Sequence, residues 1–155
     1  PRSLGNTSIF CDARNQETVN NLNLKFKKRA YFQPLAPILL EEDFQKYFSI
    51  NKSIIRNLEW MGTLCDAKEE LYNKYSSIIH IDGTCRTQII KDENSLTYKV
   101  LKNLKENGSD ILVNTSFNIS KDPVVFDLYD VYVNMKRMNI KFVLMDDGLY
   151  QTKDI

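Results

Sequence analysis

Short apolar runs and amphipathic segments alternate along the chain, which is the pattern of a domain that mixes strands and helices. Continuous apolar runs bounded by turn residues favour buried strands. Such runs predict strands at residues 8–11, 77–81, 87–90, 111–113 and 124–126. A final hairpin is predicted at residues 142–150, with Asp147-Gly148 as its turn.

Hydrophobic residues spaced three or four positions apart predict helices between these strands. The most regular helix spans residues 95–107, with Ser95 as its N-cap and Gly108 after its end. Asp127 is predicted to cap a second helix. The inner face of that helix is predicted to consist of Leu128, Val131, Tyr132, Met135 and Met138. Shorter helices are predicted at residues 17–24, 41–48 and 66–75.

Two stretches have no helical pattern. Residues 30–37 contain Pro34 and Pro37, which restrict the residues before them to extended conformations, so strand or polyproline structure is predicted. Residues 49–66 are hard to assign and are expected to include a mobile loop. The alternation of strands and helices as a whole predicts an α/β fold with a mixed sheet.

The composition is that of a single globular domain. The chain has 155 residues, of which 43% are hydrophobic and 26% charged, both ordinary values. No run approaches the roughly 20 consecutive apolar residues of a transmembrane helix. A net charge of +1 argues against a general nucleic-acid binder. Three widely spaced cysteines form no disulfide framework, so a reducing cytoplasm is expected.

Several kinds of site are excluded by the residues that the sequence lacks. His80 is the only histidine, which excludes histidine-cluster metal sites and most acid–base relays. His80 itself is predicted to be a packed strand residue rather than a catalyst. Neither GxGxxG nor GxxxxGK[ST] occurs, so no Rossmann fingerprint or P-loop is present.

The basic tripeptide Lys27-Lys28-Arg29 is the first candidate for ligand binding. If it is extended, Lys27 and Arg29 point to one face and Lys28 to the other. A lysine ammonium beside an arginine fork suits a polyphosphate or an acyl phosphate. Taken alone, the tripeptide is more typical of a solvated basic surface.

Two further candidate segments lie near predicted strands. Ser116 and Asn118 follow the buried strand at residues 111–113, at the carboxyl end where α/β proteins usually bind ligands. These uncharged donors suit phosphate oxygens or a nucleotide, and turn formation is the alternative explanation. Arg86 and Gln88 form another pair two residues apart, in which Arg86 is either a phosphate ligand or an ordinary surface arginine.

Taken in this order, the segments resemble the C-terminal region of the O-carbamoyltransferases of nodulation-factor and antibiotic biosynthesis, the NodU/CmcH family. The resemblance extends through Pro123-Val124 and so covers nearly the whole chain. The motifs that carry it are Pro1-Arg2-Ser3-Leu4-Gly5-Asn6, Lys27-x-Arg29, Phe32-x-Pro34-x-Ala36-Pro37, His80-x-Asp82-Gly83-Thr84-x-Arg86-x-Gln88 and Asn114-Thr115-Ser116-Phe117-Asn118.

The resemblance implies a particular fold and domain organisation. The fold implied is YrdC-like, with a twisted mixed β-sheet flanked by helices. Residues 1–155 would be one C-terminal domain of a longer bacterial protein, and residues 1–15 its junction with an N-terminal Kae1-like domain. A start at Pro1 rather than Met agrees with the expectation that the chain is an excised portion of a longer protein.

The resemblance also implies an activity. In the family this domain takes carbamoyl phosphate and ATP and makes carbamoyl adenylate, and the N-terminal domain then carbamoylates a hydroxyl of the acceptor. Mg²⁺ would accompany ATP, and the sequence shows no dedicated set of metal ligands. By this resemblance the catalytic residues are Lys27, Arg29 and Arg86. The same three residues would bind carbamoyl phosphate and ATP together with Gln33, Asn114, Thr115, Ser116 and Asn118.

Three positions depart from the family. Thr7, Ala30 and Gln33 stand where the family usually has Arg, Glu and Arg. Gln33 matters most, because a neutral amide replaces a guanidinium of the carbamoyl-phosphate pocket. Two alternatives therefore stay open: a catalytically degenerate domain that binds a nucleotide or stabilises its partner, and an RNA-binding module, which the near-neutral charge disfavours.

Overall fold

A computed structural model describes residues 3–30 and 32–153. Its strands are β1 (Ser8–Asp12), β2 (Ala36–Leu40), β3 (Phe48–Ser49), β4 (Cys65–Ala67), β5 (Thr84–Cys85), β6 (Gln88–Ile90), β7 (Leu112–Ser116), β8 (Phe142–Met145) and β9 (Gly148–Gln151). Its α-helices are α1 (Gln16–Asn20), α2 (Phe44–Tyr47), α3 (Glu69–Tyr75), α4 (Leu96–Glu106) and α5 (Leu128–Met138). A π-helical stretch, Asn21–Phe26, continues α1, and 3₁₀ helices span Glu41–Asp43, Lys52–Trp60 and Ser76–Ile78.

A four-stranded mixed sheet, in the order β1-β7-β2-β6, forms the centre of the fold. Strand β7 runs antiparallel to β1 and β2, whereas β6 runs parallel to β2. Two small antiparallel sheets, β3-β4-β5 and β8-β9, complete the strand pairing of the described residues. The predicted α/β class with a mixed sheet is therefore confirmed.

Both faces of the central sheet are covered by buried apolar residues. Successive strand residues point to opposite faces, so neighbouring residues of one strand join different apolar clusters. Leu39 belongs to a cluster with Val19 of α1, and its neighbour Ile38 to a cluster with Leu101 of α4. The buried polar side chains of the sheet lie at the start of β6 and from the middle of β7 toward its carboxyl end, namely Gln88, Asn114 and Thr115. Among the described residues, no helix has both the length and the apolar character needed to cross a bilayer.

The elements with local sequence signals lie where they are predicted, namely β1, β6, β7, α1, α3, α4, α5 and the final hairpin. Ser95 caps α4 by accepting the Tyr98 N–H at 3.2 Å, and Asp127 caps α5 by accepting the Asp130 N–H at 2.9 Å. The predicted inner face of α5 needs one correction. Leu128 is 64% exposed, so the apolar face begins one turn later in the helix.

The predicted strand at residues 77–81 is wrong. This segment contains the end of the 3₁₀ helix Ser76–Ile78 and a tight turn, in which the His80 N–H donates to Thr84 O at 2.8 Å. His80 is consequently a turn residue, with Nδ1 3.0 Å from Thr84 Oγ1, and Ile81 is 85% exposed. The turn signal that follows the apolar run therefore decides its structure.

The predicted strand at residues 124–126 is also wrong. Val125 is buried and its N–H donates to Phe117 O at 3.0 Å, but the segment is irregular and Phe126 is 95% exposed. A single backbone bond does not make a strand ladder. Apolar composition alone therefore predicts the wrong conformation here.

Three other stretches differ in detail from the prediction. Residues 41–48 divide into a 3₁₀ turn, α2 and the first residue of β3. Residues 49–66, which have no sequence pattern, include the 3₁₀ helix Lys52–Trp60. Within residues 30–37, regular strand structure begins only at Ala36. Tyr31 of that stretch, Pro1 and Arg2 of the first motif, and residues 154–155 lie outside the described residues.

A carboxylate braces the end of the sheet where β7 begins. Asp110 accepts hydrogen bonds from the Tyr47 hydroxyl and, at 2.8 Å, from Lys46 Nζ. Its own backbone N–H donates to the Tyr75 hydroxyl at 3.1 Å. Burial raises the pKa of Asp110, but the hydrogen bonds from Lys46 and Tyr47 outweigh burial and hold this pKa below its ordinary value.

Substitution Tyr47→Phe is expected to lower the free energy of unfolding by about 1–3 kcal/mol, because the Asp110 carboxylate loses a donor. The control Tyr129→Phe removes a hydroxyl from a side chain that is 73% exposed and should change little. Because the folded pKa of Asp110 is depressed, its contribution is present above the ordinary carboxyl pKa and is lost as pH falls through the folded value. Denaturant titration should therefore show a difference in unfolding free energy between Tyr47→Phe and Tyr129→Phe that becomes smaller in acid. Equal free energies of unfolding for the two variants would contradict the role given to the Tyr47–Asp110 hydrogen bond.

Candidate functional site

A cavity of about 220 Å³ lies where the carboxyl end of β7 meets the beginnings of β2 and β6. Strand pairing places Ala36 of β2 opposite Asn114 of β7, and Arg86 lies just before β6. The residues that line the cavity are Ser3, Arg29, Ala36, Met61, Arg86, Asn114, Thr115, Ser116 and Val124. Most of the lining is thus contributed by strand ends and by the segments that lead into them.

Five of the predicted site residues line this cavity, namely Arg29, Arg86, Asn114, Thr115 and Ser116. Lys27 and Asn118 join the same site through hydrogen bonds to Ser116. Tertiary structure therefore brings three segments of the sequence, separated by tens of residues, to one place. Gln33, in contrast, is not part of the lining, and its hydrogen bonds are to Asn23 and Ala30.

The ammonium group of Lys27 holds together the turn that follows β7. The side chain is buried, and Nζ lies 2.5 Å from Ser116 O, 3.1 Å from Ser116 Oγ, 2.8 Å from Asn118 O and 2.7 Å from Asn118 Oδ1. Ser116 Oγ also donates to Asn118 Oδ1 at 2.6 Å. These oxygens all belong to neutral groups, so Lys27 keeps its positive charge uncompensated within this contact set.

Lys27 and Arg29 reach the site by a different backbone path from the predicted extended one. Lys27 ends the π-helical stretch with φ −81°, and Lys28 has a left-handed φ of 49°. The left-handed residue reverses the chain, so Lys28 is exposed while its two neighbours are turned inward. The prediction that Lys28 points away is therefore met, but the extended geometry behind it is wrong.

Three cations influence one another in the site. Burial, followed by the charge of Arg29, lowers the pKa of Lys27 to about 8. Burial, followed by the charge of Arg86, likewise lowers the pKa of Arg29. Among the described lining residues none carries a carboxylate. Like charges gathered in a half-buried cavity favour an anionic ligand, because it would relieve both their repulsion and their desolvation.

The three positions that depart from the family lie outside the cavity lining. Gln33 is exposed in a turn, where its N–H donates to Ala30 O at 2.9 Å and its carbonyl accepts from Asn23 Nδ2 at 3.0 Å. Ala30 is also exposed. Thr7 is exposed and uses its carbonyl to bond the Phe117 N–H at 2.7 Å.

Sequence reasoning missed several residues of the site. Met61 and Val124 supply apolar lining. No local pattern distinguishes Met61 from a core residue, whereas Val124 lies at the end of the family resemblance. Ser3 lines the cavity as well, and its place in the first family motif was the available signal. Gln88 lies behind the lining and bonds Asn114, a contact that its pairing with Arg86 did not suggest.

Fold and site together define an α/β domain with a cationic cavity at a strand end. The sequence matches the family described as "Carbamoyltransferase C-terminus" over residues 1–152. The chain belongs to this carbamoyltransferase C-terminal family.

Several curated proteins are similar to the chain. An uncharacterized protein of Methanocaldococcus jannaschii is 35% identical over 99% of this chain and 25% of its own length. Nodulation protein NolO of Bradyrhizobium diazoefficiens is 36% identical over 84% of this chain and 24% of its own length. The 3'-hydroxymethylcephem-O-carbamoyltransferase of Amycolatopsis lactamdurans is 25% identical over 97% of this chain and 28% of its own length. The chain therefore spans about a quarter of the length of these relatives.

A solved structure shares the fold. The crystal structure of full-length HypF in the phosphate- and nucleotide-bound form matches with a TM-score of 0.61 and 23% identity. The match covers 83% of this chain and 20% of HypF. It confirms the predicted YrdC-like α/β fold.

Proposed function

We propose that this chain is the domain of an O-carbamoyltransferase that binds carbamoyl phosphate and ATP and forms carbamoyl adenylate. The observation that supports this most is the convergence of Lys27, Arg29 and Arg86 at the end of β7. A cationic cavity suits two phosphorylated substrates, and membership of the carbamoyltransferase C-terminal family favours the carbamoyl group as the transferred unit.

The proposed reaction makes modest demands on the side chains. Formation of carbamoyl adenylate from carbamoyl phosphate and ATP consumes one water and releases phosphate and pyrophosphate. Arg29 and Arg86 would hold the phosphate groups in line, while Lys27 fixes the turn that presents Ser116. Positioning and stabilisation of negative charge supply most of the catalysis in such phosphate chemistry.

Magnesium would enter the site with ATP. Within residues 3–30 and 32–153 no group of three or more histidine, cysteine, aspartate or glutamate side chains is arranged to hold a metal ion. Mg²⁺ commonly keeps several waters and binds substrate phosphates. The residues of the cavity therefore fit an ion that enters bound to ATP. When bound, it would neutralise phosphate charge alongside Arg29 and Arg86.

The second half of the proposed reaction lies outside this chain. An N-terminal Kae1-like domain of the same protein would transfer the carbamoyl group to a hydroxyl of the acceptor, and residues 1–15 would join the two domains. The chain's span of about a quarter of its curated relatives leaves room for such a domain. The chain alone is accordingly expected not to carbamoylate an acceptor.

One observation favours a second candidate, a domain that binds nucleotide without catalysis. Gln33 replaces a family arginine, and its side chain is exposed in a turn outside the cavity lining. A site without that charge would still hold phosphates through Arg29 and Arg86. Binding and catalysis must therefore be measured separately.

Thermal unfolding tests the binding step. ATP or carbamoyl phosphate should raise the melting temperature of the chain, since a ligand that binds only the folded state stabilises it, and added salt should weaken the effect. Pyrophosphate release from ATP that depends on carbamoyl phosphate would then support adenylation. Stabilisation without pyrophosphate release would favour the non-catalytic candidate, and an unchanged melting curve with both ligands would overturn the proposal.

A further inference from the structure

Two buried side-chain oxygens in the cavity lining have no hydrogen-bond partner among the described residues. They are Asn114 Oδ1 and Thr115 Oγ1, on side chains that are 2% and 5% exposed. A buried acceptor without a partner costs about as much as a lost hydrogen bond. Both residues line the cavity that holds Arg29 and Arg86.

A chain of amides fixes the orientation of Asn114. Gln88 Nε2 donates to Leu4 O at 3.0 Å, which leaves Gln88 Oε1 as an acceptor. Asn114 Nδ2 donates to that Oε1 at 2.9 Å and to Ser3 O at 3.0 Å. Because the amide network is anchored on backbone carbonyls, flipping either amide would set oxygen against oxygen. Asn114 therefore presents an oxygen, and not an NH₂ group, on its remaining side.

Unpartnered amide oxygens also occur elsewhere in the described part of the chain. Asn23 Oδ1 and Asn134 Oδ1 are buried without partners, but neither residue lines the cavity. Asn114 differs from both because it combines a fixed acceptor with a cationic cavity. A ligand that satisfies this site must bring a negative charge and a hydrogen-bond donor, and carbamoyl phosphate carries both, with its NH₂ group as the donor.

We infer that Asn114 Oδ1 accepts an N–H of the carbamoyl group, and that this contact selects carbamoyl phosphate against acyl phosphates that end in a methyl group. The inference rests on the proposed function and adds its specificity-determining residue. A methyl group in place of NH₂ would leave Asn114 Oδ1 buried and unpaired, which is a larger penalty than loss of an exposed hydrogen bond. Gln88 is the positioning residue, because it acts only through the Asn114 amide.

Two stable phosphonates test the inference on the wild-type chain. Phosphonoacetamide ends in NH₂ and acetonylphosphonate in CH₃, and the two are otherwise alike in shape and charge. Calorimetry should show that phosphonoacetamide binds about 10- to 100-fold more tightly. Equal affinities would overturn the inference while leaving phosphate binding, and so the proposed function, intact. Absence of binding by both phosphonates and by ATP would instead be a failure of the proposed function.

Three variants test which residue causes the preference for phosphonoacetamide over acetonylphosphonate. Asn114→Leu should reduce the ratio of the two dissociation constants to about one while inorganic phosphate still binds. Gln88→Met frees the Asn114 amide to rotate, so it should lower the same ratio without abolishing phosphate binding, and it serves if Asn114→Leu does not fold. Asn134→Leu removes an amide outside the cavity whose oxygen is likewise unpartnered, and it should leave the ratio unchanged. If Asn114→Leu and Gln88→Met both keep the wild-type ratio of dissociation constants, Asn114 does not have this role.

Discussion

Replacing Arg29 by alanine is expected to weaken binding of ATP and of carbamoyl phosphate by about 10- to 150-fold, since one charge-assisted contact is worth roughly 1.5–3 kcal/mol. Its guanidinium is half-buried in the cavity lining, where burial and Arg86 lower its pKa. The same substitution should not lower the melting temperature of the ligand-free chain, because it relieves repulsion among the three cations. Calorimetry and thermal unfolding measure the two effects.

The matched control is the neighbouring cation. Lys28 is exposed and turned away by its left-handed backbone, so Lys28→Ala should change affinity only slightly and in a salt-sensitive way. A solvated basic run would instead give similar small losses at both positions. Equal effects of Arg29→Ala and Lys28→Ala would remove Arg29 from the proposed site.

Replacing Lys27 by methionine is expected to lower both stability and affinity, in contrast to Arg29→Ala. The substitution leaves two backbone carbonyls, Ser116 O and Asn118 O, without their donor. We expect a loss of about 2–3 kcal/mol in the free energy of unfolding, or roughly 4–12 °C in melting temperature. Lys28→Met, which changes the same residue type at an exposed position, should leave the melting temperature almost unchanged. An unaltered melting temperature for Lys27→Met would contradict the role of Lys27 in holding the turn.

The lowered pKa of Lys27, about 8, gives this prediction a pH dependence. An anion favours the charged ammonium, so affinity for ATP should be level below about pH 8 and fall as pH rises through that value. The stability of the ligand-free chain should move the other way. Between about 8 and the ordinary value of 10.5 the unfolded chain binds more protons, so deprotonation of Lys27 makes folding more favourable as pH rises. This fall in ATP affinity near pH 8 should be absent in Lys27→Met. A fall of equal size in that variant would show that another group titrates.

Much of the site could be predicted because its motifs are short and chemically distinct. The sequence singled out Arg29, Arg86 and Ser116, and the structure places them around one cavity. The role of Lys27 could not be predicted in the same way. Its bonds to Ser116 and Asn118 join residues about 90 positions apart in the chain, as the separations of 89 and 91 show. The sequence does not distinguish a lysine whose ammonium holds a turn from a lysine whose ammonium binds a phosphate.

The errors in the fold prediction have a common cause. Residues 77–81 and 124–126 are apolar runs, and both were predicted as buried strands. The first segment leads into a turn closed by a hydrogen bond between His80 and Thr84. The second forms one backbone hydrogen bond to a neighbouring segment, from the Val125 N–H to Phe117 O. A strand requires a neighbouring strand as well as apolar residues, and the identity of that neighbour is not a local property.

By itself the sequence determined the helix caps at Ser95 and Asp127, the strands β1, β6 and β7, the α/β class and the family motifs, because each depends on residues close together in the chain. The tertiary structure alone decided which polar groups face the cavity. The left-handed turn at Lys28 aims its neighbours inward, although extended geometry was the simpler expectation. The amide chain that fixes Asn114 links Leu4 to Gln88 across 84 positions and Gln88 to Asn114 across 26. Hydrogen bonds over such separations exist only after the sheet has formed, so the orientation of a binding atom cannot be determined by local sequence.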